Sequence, residues 1–265
     1  MSDVVERYYD EICDDEWNRL VRHRLEFEMT KALLQPKLPE RATVLDVGGG
    51  PGRYSIWLAS LGYDVTLVDL SAQNVKRALQ EAAAAGVCIR ALHGNALALD
   101  TLPLGQYDVV LCMGPLYHLN EDTQRALAME QCLARLKPGG LLAASFISAF
   151  APIIDALKKY PHIIDEYDAR FRQWLRDGRG LASGGSFTDA YYIRPEEARA
   201  FMEGLGLCDG TLYATECLGA AGEAALMVLP AEQFARWVAL LAAIAAEPAV
   251  LGCCEHLLYI GHKAN

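Results

Sequence analysis

The chain is predicted to adopt an α/β fold built on a parallel sheet, on three observations. From Thr43 onward, short β-branched runs alternate with helix-length segments, a glycine-rich turn follows the first run, and a carboxylate or amide sits near the end of each of the first three. Parallel strands cannot be joined by tight turns, so each crossover needs a segment long enough for a helix. With 265 residues and 52% hydrophobic composition the chain can bury a full core, and one domain spanning residues 1–265 is expected.

The elements follow in order. Between Val4 and Leu38, apolar residues recur at helical spacing (Val5, Tyr8, Tyr9, Ile12, Trp17, Leu20, Val21, Leu25), and Pro36 and Pro39 end the pattern. Two amphipathic helices are expected there, making residues 1–39 a helical cover. Strands are expected at Thr43–Val47, Asp64–Asp69, Ile89–His93, Tyr107–Met113 and Leu141–Ile147, with helices at Tyr54–Leu61, Ala72–Ala85 and Asp122–Leu136 between them. Lys137-Pro138-Gly139-Gly140 supplies the proline and glycines that stop the last helix. These elements form a core over 40–148.

The rhythm breaks at Ala149–Tyr192, which mixes aromatics, charges and a Gly/Ser patch at Ser183–Ser186. Residues 149–192 read as a lid-like insertion. After it, Arg194–Leu207 reads as a capped helix, Gly210–Cys217 as a strand, Ala231–Ala246 as a helix and His256–His262 as a final strand, so 193–265 completes the sheet.

Composition excludes several function classes. Net charge is −10, with no Lys/Arg run beyond the pairs Lys76-Arg77 and Lys158-Lys159, so nucleic acid is not an expected partner. No window of about 18 apolar residues occurs, and no membrane partner is expected. The first twenty residues carry Asp3, Glu6, Asp10, Glu11, Asp14, Asp15 and Glu16 in place of a basic start and apolar centre, which predicts a cytoplasmic location. The eight cysteines are scattered without a CxxC pair and read as reduced, with no metal framework.

The turn Gly48-Gly49-Gly50-Pro51-Gly52 carries the chemistry. In an open parallel sheet the ligand lies beyond the carboxyl ends of the strands, and glycine lets backbone approach it. A nucleotide-diphosphate site places phosphate at such a turn. Here Asp46 precedes the turn, and a carboxylate opposes pyrophosphate but favours an ammonium. Asp69 ends the next strand, where it can accept hydrogen bonds from ribose hydroxyls, and Asn95 and Ala96 follow the third, where an adenine edge would lie. The ligand implied is adenosine joined to an amino acid and lacking phosphate.

With those residues in place, the chain resembles the class I S-adenosylmethionine (SAM) dependent methyltransferases of the small-molecule type. The resemblance rests on "VLDVGGGPGRYS", "VTLVDLS", "HGNALAL", "YDVVLCMGPLYHL" and "LARLKPGGLLAASF", in that order over roughly residues 40–150. It implies a Rossmann-like, doubly wound seven-stranded sheet of order 3-2-1-4-5-7-6 with strand 7 antiparallel. It further implies SAM as cofactor, with Asp46, Gly48 and Gly50 at the methionine end, Asp69 and Leu70 at the ribose, Asn95 and Ala96 at adenine, and Met113 beside the adenosyl group. Asn95 stands where many relatives carry aspartate, and its amide oxygen can still accept a hydrogen bond.

Methyl transfer demands alignment, a dry pocket and, for a protonated nucleophile, a base. His118, after the fourth strand, is the candidate base. Arg19 or Arg24 is a candidate partner for the SAM carboxylate, Tyr9, Tyr117 and Tyr191 are candidate acceptor-binding residues, and Phe171, Trp174 and Tyr192 of the insertion are expected to line the acceptor pocket with Tyr191. The acceptor is expected to be a small molecule methylated at a heteroatom; the oligomeric state is left open. The alternatives are a SAM-binding regulatory protein without catalysis, which an acceptor screen with labelled SAM separates, and an arsenite or thiol methyltransferase, which would use clustered cysteines. A nucleic-acid amino-methyltransferase would carry Asn/Asp-Pro-Pro-aromatic where this chain has Met113-Gly114-Pro115-Leu116-Tyr117.

Overall fold

The computed structural model describes residues 3–265; Met1 and Ser2, the first positions of the expected cover, lie outside the described residues. Three helices, α1 (Asp3–Glu11), α2 (Cys13–Arg22) and α3 (Arg24–Leu34), replace the two expected at the N-terminus. Leu20 and Leu25 are both buried although five residues apart, about 140° around a straight helix. The break at His23, with φ −105° and ψ 55°, turns both toward the core.

The core then alternates in the expected order: β1 (Thr43–Val47), α4 (Arg53–Ser60), β2 (Asp64–Asp69), α5 (Ala72–Ala84), β3 (Arg90–His93), β4 (Tyr107–Cys112), α6 (Asp122–Arg135) and β5 (Leu136–Ser148). The exception is that β5 starts five residues before the expected Leu141, so Lys137-Pro138-Gly139-Gly140 lies inside the strand, where its pairing with β4 shifts register. The insertion holds α7 (Ala151–Lys159), α8 (Ile164–Asp177), β6 (Arg179–Gly180) and β7 (Ala190–Ile193). The chain ends with α9 (Pro195–Glu203), β8 (Leu207–Ala214), α10 (Glu223–Met227), α11 (Ala231–Ile244) and β9 (His256–Lys263).

Seven strands form the main sheet in the spatial order β3-β2-β1-β4-β5-β9-β8, with β9 antiparallel to both neighbours. Counting β8 and β9 as the sixth and seventh core strands, this is the 3-2-1-4-5-7-6 arrangement. Strands β1, β2 and β4 are buried almost throughout because helices cover both faces, which is why they read as continuous apolar runs. β8 begins earlier and ends earlier than the expected Gly210–Cys217 strand. Asp209, at φ 52°, and Gly210 are absorbed as a bulge between Cys208 and Thr211, so a dipeptide that signals a turn here bends a strand.

Strand β7 positions the insertion. It pairs parallel with the last residues of β5 (Ile147 with Tyr192, Ser148 with Ile193), while β4 stops pairing with β5 at Ala144 and β9 occupies the other edge. β7 therefore takes the β4 side of β5 just beyond the carboxyl end of β4. The aromatics of α8 and β7 make a second small core there, with Phe171, Trp174 and Tyr192 packed on Ile147.

The central packing gives a direct test. Phe146 of β5 is 2% exposed within the main core, and truncation there leaves a cavity the rigid sheet cannot collapse. Phe146→Ala is expected to lower unfolding free energy by about 3–5 kcal/mol in urea titration. A loss under about 1 kcal/mol would contradict this packing.

Candidate cofactor and acceptor site

The turns after β1 and β4 meet at the carboxyl edge of the sheet. A Cβ on Gly114 would lie 2.7 Å from the Gly48 carbonyl oxygen, and one on Gly48 would lie 2.5 Å from Pro115 Cδ. Gly48 also holds φ at 71°, so contact and conformation both require glycine there. Gly50, at φ 56°, has open space where a side chain would stand.

Beneath the turn, Asp46 is 1% exposed. Its Oδ2 accepts from the Ser55 hydroxyl at 2.7 Å, and its Oδ1 has no partner among the described residues. Burial raises its pKa to about 6, against the Ser55 hydrogen bond and with help from the Asp69 charge. Asp69 is also buried, and burial raises its pKa too. Its oxygens accept from Gly50 N (2.8 Å), Ser71 N (2.9 Å) and Asn74 Nδ2 (3.2 Å), leaving about one of the four acceptor positions of a carboxylate free.

Asp69, Leu70, Gly94 and Ala96 line one small cavity of about 60 Å³ together with Gly48, Gly50 and His118. Asp46, Gly48, Gly50, Met113 and Arg19 line a second, of about 50 Å³. Asn95 lines neither: its Oδ1 accepts from Leu97 N at 3.0 Å and caps the short turn at Ala96–Thr101.

His118 is buried between the cover and the insertion. Its Nδ1 lies 3.0 Å from the Asp189 carbonyl oxygen, which can only accept, so Nδ1 carries the proton and Nε2 accepts from the Tyr9 hydroxyl at 2.8 Å. Burial lowers the pKa of the ring to about 4, so it is neutral through the physiological range. The pair ties α1 to the turn after β4. Tyr117 donates to the Met113 carbonyl oxygen at 3.2 Å.

A third cavity, about 490 Å³, opens between the cover and the insertion. Tyr8, Tyr9, Tyr117, Trp174, Phe187 and Tyr192 form its aromatic walls. Tyr191 does not line it, because alternation along β7 sends its ring outward beneath the Arg125 guanidinium, 3.6 Å from the ring centre. Of the four insertion aromatics expected on the wall, the structure puts Trp174 and Tyr192 there and leaves Tyr191 and Phe171 off it. None of the eight free cysteines lines these three cavities among the described residues, so the thiol clustering of the alternative reading is missing there.

The floor of the large cavity is ionic. Arg19 donates from Nη1 and Nη2 to Glu26 (2.7 and 3.3 Å) and from Nε to Glu16 (3.0 Å). His256 Nδ1 lies 2.5 Å from Glu216 Oε1 and 3.8 Å from Glu26 Oε2. Burial alone would lower the His256 pKa, but Glu26 and Glu216 outweigh it and raise it to about 9. Sequence reasoning missed Glu26, Glu216 and His256, since no spacing links positions so far apart. Glu16 was visible only as one member of an acidic run, although its i,i+3 spacing to Arg19 marks an ion pair.

Comparison with known proteins agrees with this geometry. A methyltransferase-domain family matches residues 44–140. A ubiquinone biosynthesis O-methyltransferase of Xanthomonas euvesicatoria pv. vesicatoria is 32% identical over 194 residues, covering 72% of this chain and 72% of its own length. The chain belongs to the class I SAM-dependent methyltransferases. A ubiquinone biosynthesis O-methyltransferase of Caulobacter vibrioides is 32% identical over 165 residues; the alignment covers 62% of this methyltransferase but only 59% of that relative's length. A SAM-dependent methyltransferase of Thermotoga maritima, described as a possible histamine N-methyltransferase, superposes with a TM-score of 0.58 over 97% of this chain and 99% of its own, at 15% identity, which speaks to the fold alone.

The His256 cluster predicts a pH dependence of stability. With its folded pKa raised from 6.5 to about 9, His256 contributes stability that is fully present below about pH 6.5 and is lost as pH rises through about 9. Urea titrations between pH 6 and 10 should show unfolding free energy falling across that window. In His256→Gln the slope should flatten; an unchanged slope would show that other groups set it.

Proposed function

We propose that this methyltransferase carries the SAM methyl group to a heteroatom, oxygen by analogy with the relatives named above, of a small molecule with a flat apolar body. The unpaired Oδ1 of Asp46 carries the reading. A buried carboxylate oxygen without a donor is costly, and an ammonium group beside the glycine turn would satisfy both its charge and its hydrogen bond. A pyrophosphate in the same place would worsen it.

In this reading Asp46, Gly48, Gly50 and Met113 hold the methionine part, and Asp69, Leu70 and Ala96 hold the nucleoside. Asn95 contributes through the turn it caps. Arg19 borders the methionine compartment already engaged by Glu26 and Glu16, so it shares its charge with the cofactor carboxylate. When bound, SAM supplies a methyl group on a sulfonium, which is already a good leaving group. The protein's part is to align the acceptor and exclude water.

The aromatic walls suit a planar acceptor, as recognition pockets are mostly apolar with few polar groups. Tyr9 and His118 act as a latch between cover and core, since His118 Nε2 is already occupied by the Tyr9 hydroxyl. The two small compartments hold only a few waters' worth of space, so cofactor entry requires α1 and α2 to move back, and residues 149–192 with the cover close the site afterwards.

Two experiments test this. In calorimetry, Asp46→Asn should weaken SAM binding by about 10- to 150-fold, the worth of a charge-assisted hydrogen bond. Native affinity should also fall as pH drops below about 6, because the proton on Asp46 must then leave before the ammonium binds, and the variant should lose that dependence. SAM binding indifferent to both would place the cofactor elsewhere. In a labelled-methyl screen, label should pass to phenolic or other planar heteroatom-bearing compounds and not to DNA or RNA; transfer to nucleic acid alone would overturn the acceptor assignment.

A further inference from the structure

The three cavities share two residues, Glu16 and Tyr117. If the nucleoside and methionine parts occupy the two small compartments and the acceptor the large one, the reacting sulfur and methyl group lie where all three meet. Tyr117 spends its hydroxyl on the Met113 carbonyl oxygen. Glu16 does not spend its carboxylate: Oε1 accepts from Arg19 Nε at 3.0 Å, and Oε2 has no hydrogen-bond partner among the described residues. The Glu16 side chain is 17% exposed, so its charge is only partly screened by solvent.

We propose that Glu16 is a charge-selecting residue at the methyl-transfer junction, facing the sulfonium of SAM and favouring it over the neutral thioether left after transfer. The inference rests on the cofactor placement proposed above. Glu16 belongs to α2, and Arg53 anchors that helix to the glycine turn by donating from Nε to the Trp17 carbonyl oxygen at 2.9 Å and stacking on the Trp17 ring at 3.7 Å. The charge is therefore held in place rather than carried on a free surface side chain.

The role has a chemical consequence. Asp46 faces the amino acid part, which is the same before and after transfer, and so binds cofactor and product alike. Glu16 faces the one group whose charge changes. Loss of the sulfonium charge removes its attraction and favours release of the product.

Calorimetry with three probes separates these roles: SAM, its demethylated thioether product, and the amine analogue in which a carbon bearing an ammonium replaces the methylated sulfur. Glu16→Gln should weaken SAM and the amine analogue roughly tenfold to hundredfold while leaving the thioether within about threefold, so thioether binding also reports an intact site. Glu16→Asp, which keeps the charge but withdraws it, should fall between. Asp46→Asn should weaken all three alike. Equal losses for all three probes in Glu16→Gln, or none, would overturn the charge-selecting role while leaving the cofactor site standing. Failure of the unaltered protein to bind any probe would overturn the cofactor placement and this inference with it.

Discussion

Burial of the Asp46 carboxylate beneath a glycine turn is the constraint on which the rest of the site depends. β1 is central, flanked by β2 and β4, so a residue near its carboxyl end is covered on every side except toward the turn. Raising its pKa from 3.8 to about 6 corresponds to about 3 kcal/mol of unfavourable ionisation at neutral pH. The sign is that of a stability contribution held at low pH and lost as pH rises from about 4 to about 6. Ser55 from α4 offsets part of the cost, and Oδ1 is left bare. The Gly49 backbone lies directly over the carboxylate, since a Cβ there would sit 2.7 Å from Asp46 Oδ2. Folding energy from the surrounding sheet holds a buried carboxylate with one oxygen still able to accept a hydrogen bond.

The cover is fixed by the same economy of contacts. Ser71 caps α5 by accepting from Asn74 N at 3.1 Å and donates its own hydroxyl to Asp10 of α1 at 2.5 Å. Tyr9 reaches His118, and Arg53 reaches Trp17. These three ties join α1 and α2 to the loops after β2, β4 and β1, the same loops that line the small cavities. The contacts that hold the cover are therefore the contacts that border the small cavities.

Most of the fold was legible because its signals are local. β-branched runs, the spacing that crossovers require and the glycine turn each lie within a few residues, and the five parallel core strands fall close to where periodicity places them. Features set by tertiary contact were not. Whether Tyr191 or Tyr192 faces the cavity depends on the two-residue pairing of β7 with β5, which decides the parity of the strand and has no sequence marker. The break at His23 similarly depends on what Leu20 and Leu25 must reach. Asp46, Asp69 and the glycines could be found from position alone, since strand ends in a parallel sheet converge; Asn95 occupies the expected place but turns its amide into its own cap.

The ionic floor of the large cavity was illegible for the same reason, and it sets the charge of that cavity's lining. Arg19 comes from α2, Glu26 from α3, Glu216 from the loop after β8 and His256 from the start of β9. Buried ion pairs gain little net stability over apolar packing, but breaking one side leaves a stranded charge that costs several kcal/mol. The cluster thus binds cover, sheet and C-terminal strands into one arrangement more through the penalty of disrupting it than through its own attraction. Arg19 and His256 are each neutralised by glutamates, so neither presents an unpaired positive charge to the cavity. The remaining lining of the large cavity is chiefly aromatic, and Glu16, with one oxygen held by Arg19, is the carboxylate that borders all three cavities.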